Sequence, residues 1–587
     1  MIRTFRQRSQ HKQWAGLNTE IAPDELLHVE GAQKQALEVG RNRLVLTGII
    51  FVLAFSVIGL RLGELTLSRN GGEERLARDA GSSQLETGRA DILDRNGIVL
   101  ATTLPTVSLY ANPNHVRNPG EAAGQLADLL TDLSVAEIEE RLSSDKHFVW
   151  LKRDLSPRDQ YQVNRLGIPG LYFQEEQRRS YPQGRLAAHI VGFADVDNNG
   201  LAGIELSLDE ALRGSADPLY LSLDIRIQHI LFEELANAMK EFQAIGASGL
   251  VMDADNGEIV AMASLPSFDP HHPGGASREA RFNRATLGTY EMGSVFKIFT
   301  TAMVLDRGLL TLRDGYDTSD PIRVSRFVIR DFKPKKRWLS IPEIFIYSSN
   351  IGTVHMAMAA GTEVQKDFLA SLGLLGRGSI ELAEVGDPLV PSPWREINTM
   401  TIAYGHGMAV NAVQLASAVS AVVNDGRLVP ATLLRREPGD LAQGRQVMKP
   451  ATSATMRRLM RLVVTHGTGR NADAEGYLVG GKTGTADKQR GRGYARDARI
   501  ASFVAAFPMD RPRYVVFAML DEPKGTKATY GYATGGWVAA PAVRKIVQRV
   551  GPLMGVEPDF NNFEMELENE MLLQVKAETK GKRLASN

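Results

Sequence analysis

One uncharged apolar run, LVLTGIIFVLAFSVIGL at 44–60, stands apart from the rest of the chain. As a helix it would extend about 26 Å, close to the hydrocarbon thickness of a bilayer, which predicts one membrane span over 44–62. Beyond it the pattern breaks into shorter segments. DIRIQHILFEELANAMKEF sets Ile227, Ile230, Leu231, Leu235 and Met239 at helical spacing, the entry helix of a domain. SGLVMDADNGEIVAMAS carries two apolar runs around Asn256-Gly257, a hairpin signal. A mostly helical stretch follows over about 295–465, and RIASFVAAF with RYVVFAML predicts a second hairpin. Strands at both ends of a domain with helices between them predict one antiparallel sheet flanked by helices, an α+β fold.

Charge orients this layout. Arg3, Arg6, Arg8, Lys12, Lys34, Arg41 and Arg43 precede the span and predict a cytoplasmic N-terminus, with everything after the span outside. RLGELTLSRN offers no small-x-small cleavage site, so the span reads as a retained single-pass anchor. The expected division is a cytoplasmic tail at 1–43, the anchor at 44–62, an irregular α+β module at 70–230, a second domain at 240–550 and a polar tail at 551–587. Lys+Arg and Asp+Glu both number 68, so no whole-molecule charge argues for nucleic acid. With no cysteine, disulfides, thiolate nucleophiles and Cys-ligated metals are excluded. His271 and His272 are adjacent without spaced partners and read as a surface loop; no metal or cofactor is expected.

The segment GYLVGGKTGT at 476–485 fits two patterns. Gly476, Gly481, Lys482 and Thr483 match a phosphate-binding loop, which requires a strand before the first glycine and a helix at the Lys-Thr. GTGRNADAE before it and ADKQRGRGYARDAR after it supply neither, so LVGGKTGTA reads as a third antiparallel strand beside the second hairpin. The alternative is serine acyl transfer. YEMGSVFKIF places Ser294 and Lys297 one helical turn apart, and IYSSNIGT places Ser348 and Asn350 at the start of another helix. S-x-x-K also occurs at Ser9 and Ser143, and S-x-N at Ser68. Only the set beginning at Ser294 keeps the order S-x-x-K, S-x-N, K-T-G within one domain, as in penicillin-interacting serine enzymes.

With these motifs the chain resembles a class B penicillin-binding protein, a membrane-anchored peptidoglycan D,D-transpeptidase, over about 40–550. RADILDRNGIVLA is similar to the opening of the family's pedestal, with Ala90 where glycine is usual, and GLAGIELSLDEALRG matches a segment whose glutamate is Glu205. NRATLGTYEMGSVFK has Met292 in place of a customary proline, and YGHGMAVNAVQLASA has Asn411-Ala412-Val413-Gln414 where Thr-Pro-x-Gln is usual. The resemblance implies a pedestal like the family's dimerisation module, then a β-lactamase-like transpeptidase domain, in the inner membrane with the catalytic part periplasmic. The wording is most like division-specific members, which implies septal wall synthesis, β-lactam sensitivity, and a polytopic glycan polymerase and other division proteins as partners.

The resemblance also implies roles. Ser294 attacks the carbonyl between two D-alanines of a stem peptide, and an amine of a neighbouring strand resolves the acyl-enzyme. Lys297 is the base. A free lysine, pKa about 10.4, lies about 4 to 5 kcal/mol from being neutral at pH 7, a gap that desolvation and the charge of Lys482 would narrow. Ser348 relays the proton and Asn350 orients Lys297. Thr483, Gly484 and Thr485 hold the substrate, and the N–H groups of Ser294 and Thr485 form an oxyanion hole. Rival readings are an elongation-specific transpeptidase, a β-lactamase, and a penicillin-responsive sensor or scaffold.

Overall fold

The computed structural model describes residues 48–49, 51–59 and 89–560, except 325–326, 438, 440–441 and 491–492. The chain forms two units, Met1–Glu86 and Thr87–Asn587. In the first, residues 51–59 are helical, with Phe51 and Phe55 stacked at 6.5 Å and exposed. The expected tail at 1–43, the rest of the anchor and residues 561–587 lie outside the described residues. Among the described residues no helix is long and apolar enough to cross a membrane.

The second unit opens with a sheet of short and long strands. β1 (Ile92–Leu93) pairs with β2 (Val99–Ala111), the helices α1 (Pro119–Leu129) and α2 (Val135–Leu142) follow, and β3 (Val149–Leu155) returns beside β2. After α3 (Pro157–Arg165), β4 (Leu171–Ser180) pairs with β2 from Thr102↔Ser180 to Ala111↔Leu171, and β5 (Leu219–Tyr220) joins β1 in parallel. The helices start where local chemistry permits. Ser134 and Glu137 form a capping box for α2, and Ser156 caps α3 ahead of Pro157. Their apolar faces bury Leu126, Ile138 and Val163 against Leu109, Leu151 and Leu155 of the sheet.

Charge fixes the centre of this module. Glu205 is fully buried, ion-paired to Arg89 and bonded at 2.7 Å by Arg179 Nε. Arg179 also donates to the carbonyl of Ala90 at 2.8 Å. Ala90 does not adopt a positive φ, so the glycine usual in the family is not needed there. Asp94 turns the chain at Asn96-Gly97 and accepts the Ile225 N–H at 3.1 Å, which ties this module to the next helix.

That helix, α4 (Ile225–Glu241), packs on β6 (Gly246–Asp253) and β7 (Ile259–Leu265), so the second layer system begins with the helix read from the sequence as its entry. β6 and β7 form the expected hairpin, with Gly257 at φ +77°. The chain then passes through α5 (Lys297–Asp306), α6 (Ile341–Ile346), α7 (Asn350–Ala360), α8 (Ala412–Val423) and α9 (Pro450–Thr465). It returns as β8 (Gly480–Arg490), β9 (Gly493–Phe507) and β10 (Tyr514–Asp521), and ends in α10 (Gly535–Leu553). The sheet order is β8-β9-β10-β6-β7, all antiparallel, so the two ends of the domain close one sheet through β6 and β10.

Both faces of this sheet are covered. On one side α4 and α10 pack Leu231, Leu235, Val543 and Ile546 against Val251, Ala505 and Val516. On the other, α8 and α9 pack Val419, Val422 and Met460 against Met252, Val504 and Phe517. This explains why β10 is buried at every residue and reads as a continuous apolar run instead of an alternation. β8 lies at the sheet edge, facing the helices that carry the polar motifs.

Candidate active site

Ser294 sits in a 3-10 turn, Gly293–Phe296, that runs directly into α5. The turn seats against β8 because two positions lack a side chain. Gly293 has φ +53°, and a Cβ there would meet the Thr485 carbonyl oxygen at 2.4 Å; a Cβ on Gly484 would meet Ser502 Oγ at 2.3 Å and the Met292 oxygen at 2.6 Å. Met292 is buried and packs into the core from the place where proline is usual. The Ser294 hydroxyl is half-buried and makes no hydrogen bond to another described residue.

Lys297, one turn on, is fully buried. Its Nζ donates to the Ser348 carbonyl at 2.5 Å and to Asn350 Oδ1 at 2.7 Å, and lies 3.1 Å from Ser348 Oγ. Ser348 reaches this position by adopting φ +59° between α6 and α7, a left-handed turn held by its surroundings. From β8, the fully buried Lys482 extends Nζ to 3.0 Å from Ser348 Oγ, so both amines face one hydroxyl.

Electrostatics follow from this burial. Desolvation first, and the neighbouring Lys482 second, hold the Lys297 amine well below the usual lysine range, against an upward pull from Asp331. Desolvation brings Lys482 down to about 7. A neutral Lys297 has two N–H groups and one lone pair. The Ser348 carbonyl and Asn350 Oδ1 can only accept, so they take both N–H groups and leave the lone pair for a hydroxyl.

The substrate-strand residues divide. Thr483 Oγ1 is 2.9 Å from Thr468 Oγ1, while Thr485 Oγ1 accepts the Gly535 N–H at 3.1 Å and keeps its own proton to donate. Residues 482–485 lie within β8 and not at a helix N-terminus, so the phosphate-loop pattern is accidental. Ser294, Lys297, Ser348, Asn350, Lys482, Thr483, Gly484 and Thr485 thus gather along one edge of the sheet.

Several residues of this edge carried no sequence signal. Asp331 accepts from Ser349 Oγ at 2.7 Å, Asn350 N at 2.6 Å and Ile351 N at 3.0 Å, capping α7 with a carboxylate. Asn350 Nδ2 donates to the Arg330 carbonyl at 2.8 Å, which fixes its amide so that Oδ1 faces Lys297. These contacts join a loop to a helix about twenty residues away, and no spacing rule announces them. The Asn411 departure, by contrast, is explained: Asn411 caps α8 and forms a capping box with Gln414, the work expected of threonine at that place.

Comparisons with known proteins identify the family. Residues 247–548 match the penicillin-binding protein transpeptidase domain, and residues 84–224 match the penicillin-binding protein dimerisation domain. The chain is 38% identical over 531 residues to a probable peptidoglycan D,D-transpeptidase FtsI of Caulobacter vibrioides, covering 88% of this chain and 89% of that one. It is 32% identical over 581 residues to a probable peptidoglycan D,D-transpeptidase PenA of Neisseria meningitidis, covering 92% and 97%. Penicillin-binding protein 3 of Mycobacterium tuberculosis, solved with aztreonam, aligns with a TM-score of 0.64 at 26% identity, covering 80% of this chain and 97% of that one. The order of the motifs, their convergence on one sheet edge and these matches together show that the chain belongs to the class B penicillin-binding proteins, the peptidoglycan D,D-transpeptidases, and is of the division type.

Proposed function

We propose that Ser294 is the nucleophile of the transpeptidase and that Lys297, uncharged, is its base. The observation that carries this reading is the Lys297 amine, buried beside a second lysine with both N–H groups committed to pure acceptors. Its lone pair takes the Ser294 proton as Oγ attacks the D-Ala–D-Ala carbonyl. Ser348, touching both amines, passes a proton toward the departing D-alanine amine, and Lys482 restores the charge balance. Thr483 and Thr485 hydroxyls, with Lys482, hold the terminal carboxylate beside Gly484. The N–H groups of Ser294 and Thr485 stabilise the oxyanion, about 3 kcal/mol each. An amine from a neighbouring stem then releases the enzyme.

Among the described residues no carboxylate hydrogen-bonds to Ser294 or Lys297, which favours resolution by an amine over the water activation a β-lactamase requires. The apolar run at 44–60 with its basic flank supports a single-pass inner-membrane anchor and a periplasmic catalytic domain. Thr47, Gly48, Ser56 and Gly59 suit close approach of another helix, such as one from a polytopic glycan polymerase working with division proteins at the septum. Labelled penicillin followed by intact-mass analysis tests the nucleophile: wild type takes up one label and Ser294→Ala none. Label retained by the alanine variant refutes the assignment.

A further inference from the structure

The sheet that opens the second unit carries an aromatic row that no catalytic step uses. Register sets Trp150 of β3 and Tyr172 of β4 directly across from Tyr110 of β2. Strand alternation sends their neighbours Leu109, Leu151 and Phe173 to the core of the module, so the three rings share the opposite face. Phe148, the residue before β3, joins them: its ring lies 4.7 Å from Tyr110 and meets Trp150 edge-on at 4.9 Å, while Tyr110 stacks on Tyr172 at 5.4 Å. The rings brace one another, yet Phe148 is 44% exposed and Tyr172 40%. β4 pairs with β2 alone, so among the described residues no strand flanks Tyr172 on its outer side. Neither the Tyr110 hydroxyl nor the Trp150 indole N–H has a hydrogen-bond partner among the described residues. A contiguous aromatic patch left on a solvent face marks a binding surface.

Two observations select its occupant. The cations beside the row on β3 are satisfied within the module: Arg153, 5.3 Å over the Trp150 ring, donates to Glu176 at 2.8 and 3.1 Å, and Lys152 is ion-paired to Asp132. The row therefore presents ring surface and uncharged donors, the complement of a neutral amphipathic ligand and not of a charged peptide. A sugar ring is such a ligand. Its C–H groups carry slight positive charge that suits the negative face of an aromatic ring, and its hydroxyl and acetamido oxygens accept from the phenol and indole. The second observation is the family: its reactants are peptides borne on one polymer, whose backbone is a chain of N-acetylated sugars. A second point of attachment on that chain raises the effective concentration of the stems at the catalytic domain.

We propose that the row of Trp150, Tyr110 and Tyr172 is a glycan-binding site for the N-acetylated sugar chain of peptidoglycan, separate from the site that takes the stem peptide. It requires the family's polymeric substrate and no particular role for Ser294 or Lys297. The test uses the full chain in a sugar-free detergent and titration calorimetry with an uncharged probe, the β-1,4-linked hexamer of N-acetylglucosamine, against maltohexaose. Wild type is expected to bind the probe at least about tenfold more tightly than maltohexaose, and equally well after acylation by benzylpenicillin. Tyr172→Ala is expected to weaken the probe by about tenfold, and Tyr172→Phe, which keeps the ring, by less than about twofold. No binding, or equal affinity for the two sugars, overturns the proposal in the wild type alone and leaves the row to a protein partner, so a variant that fails to fold does not protect it. An alanine variant that binds like wild type overturns it as well. Binding lost on acylation would assign the sugar to the active-site cleft and overturn it too. A chain that binds the probe but takes up no penicillin would leave this inference standing and defeat the mechanism proposed for Ser294.

Discussion

Replacing Lys482 by methionine should move the acid limb of the acylation profile toward higher pH. Both amines lie within 3.1 Å of Ser348 Oγ, so their nitrogens are no more than about 6 Å apart. At an effective dielectric of about 20, like charges at that distance repel by about 2.8 kcal/mol, equivalent to about two pKa units. The charge of Lys482 is the second cause that lowers Lys297, whereas desolvation alone lowers Lys482, so the repulsion falls on Lys297. Methionine keeps the volume and apolar stem but removes the charge, so the Lys297 amine becomes harder to deprotonate. Desolvation, the larger cause, remains, which limits the shift to about two pH units. Stopped-flow acylation by a chromogenic β-lactam between pH 5 and 10 reads the limb directly, the pair being reported as apparent values. A limb that stays within half a unit of wild type, or moves downward, refutes the coupling on which the base assignment depends.

Asp331→Asn should move the same limb the other way, because the carboxylate pulls the Lys297 pKa upward; the loss of a charged cap on α7 should also lower stability by about 1–2 kcal/mol, read by thermal unfolding. Glu205→Gln leaves the buried Arg179 without its carboxylate, while Arg89 keeps Asp209 at 2.6 Å, and should cost about 3–5 kcal/mol in urea unfolding. Gly293→Ala forces the Ser294 turn away from the Thr485 carbonyl and should slow penicillin acylation on the order of a hundredfold. An alanine variant at wild-type rate would show that the turn does not set the nucleophile's position.

What was legible in the chain depended on the range of the interaction. The Asn256-Gly257 hairpin, the entry helix at 225–241 and the β9–β10 hairpin are local, and periodicity with turn chemistry found them. The three polar motifs were legible through their order, and the fold brings them to one edge because β8 returns beside the turn that opens α5. The outer arms of β8 and β9, DKQRGRGYARDAR, were not legible as strands. They extend past the covered part of the sheet and carry no apolar alternation, yet pair as far as Arg490↔Gly493. Asp331 escaped for a different reason: it acts through hydrogen bonds to residues remote in sequence, and a single carboxylate in a loop has no pattern.

The central claim is that Lys297 is an uncharged amine in the resting enzyme, and its Nζ resonance reports that state directly. Lysine labelled at Cε and Nζ, with the Lys297 signal assigned by its loss in Lys297→Met, gives a titration by heteronuclear NMR. The account predicts a neutral amine at pH 7, with protonation only on acidification. An ammonium that persists at pH 7 and titrates near 10 would contradict it.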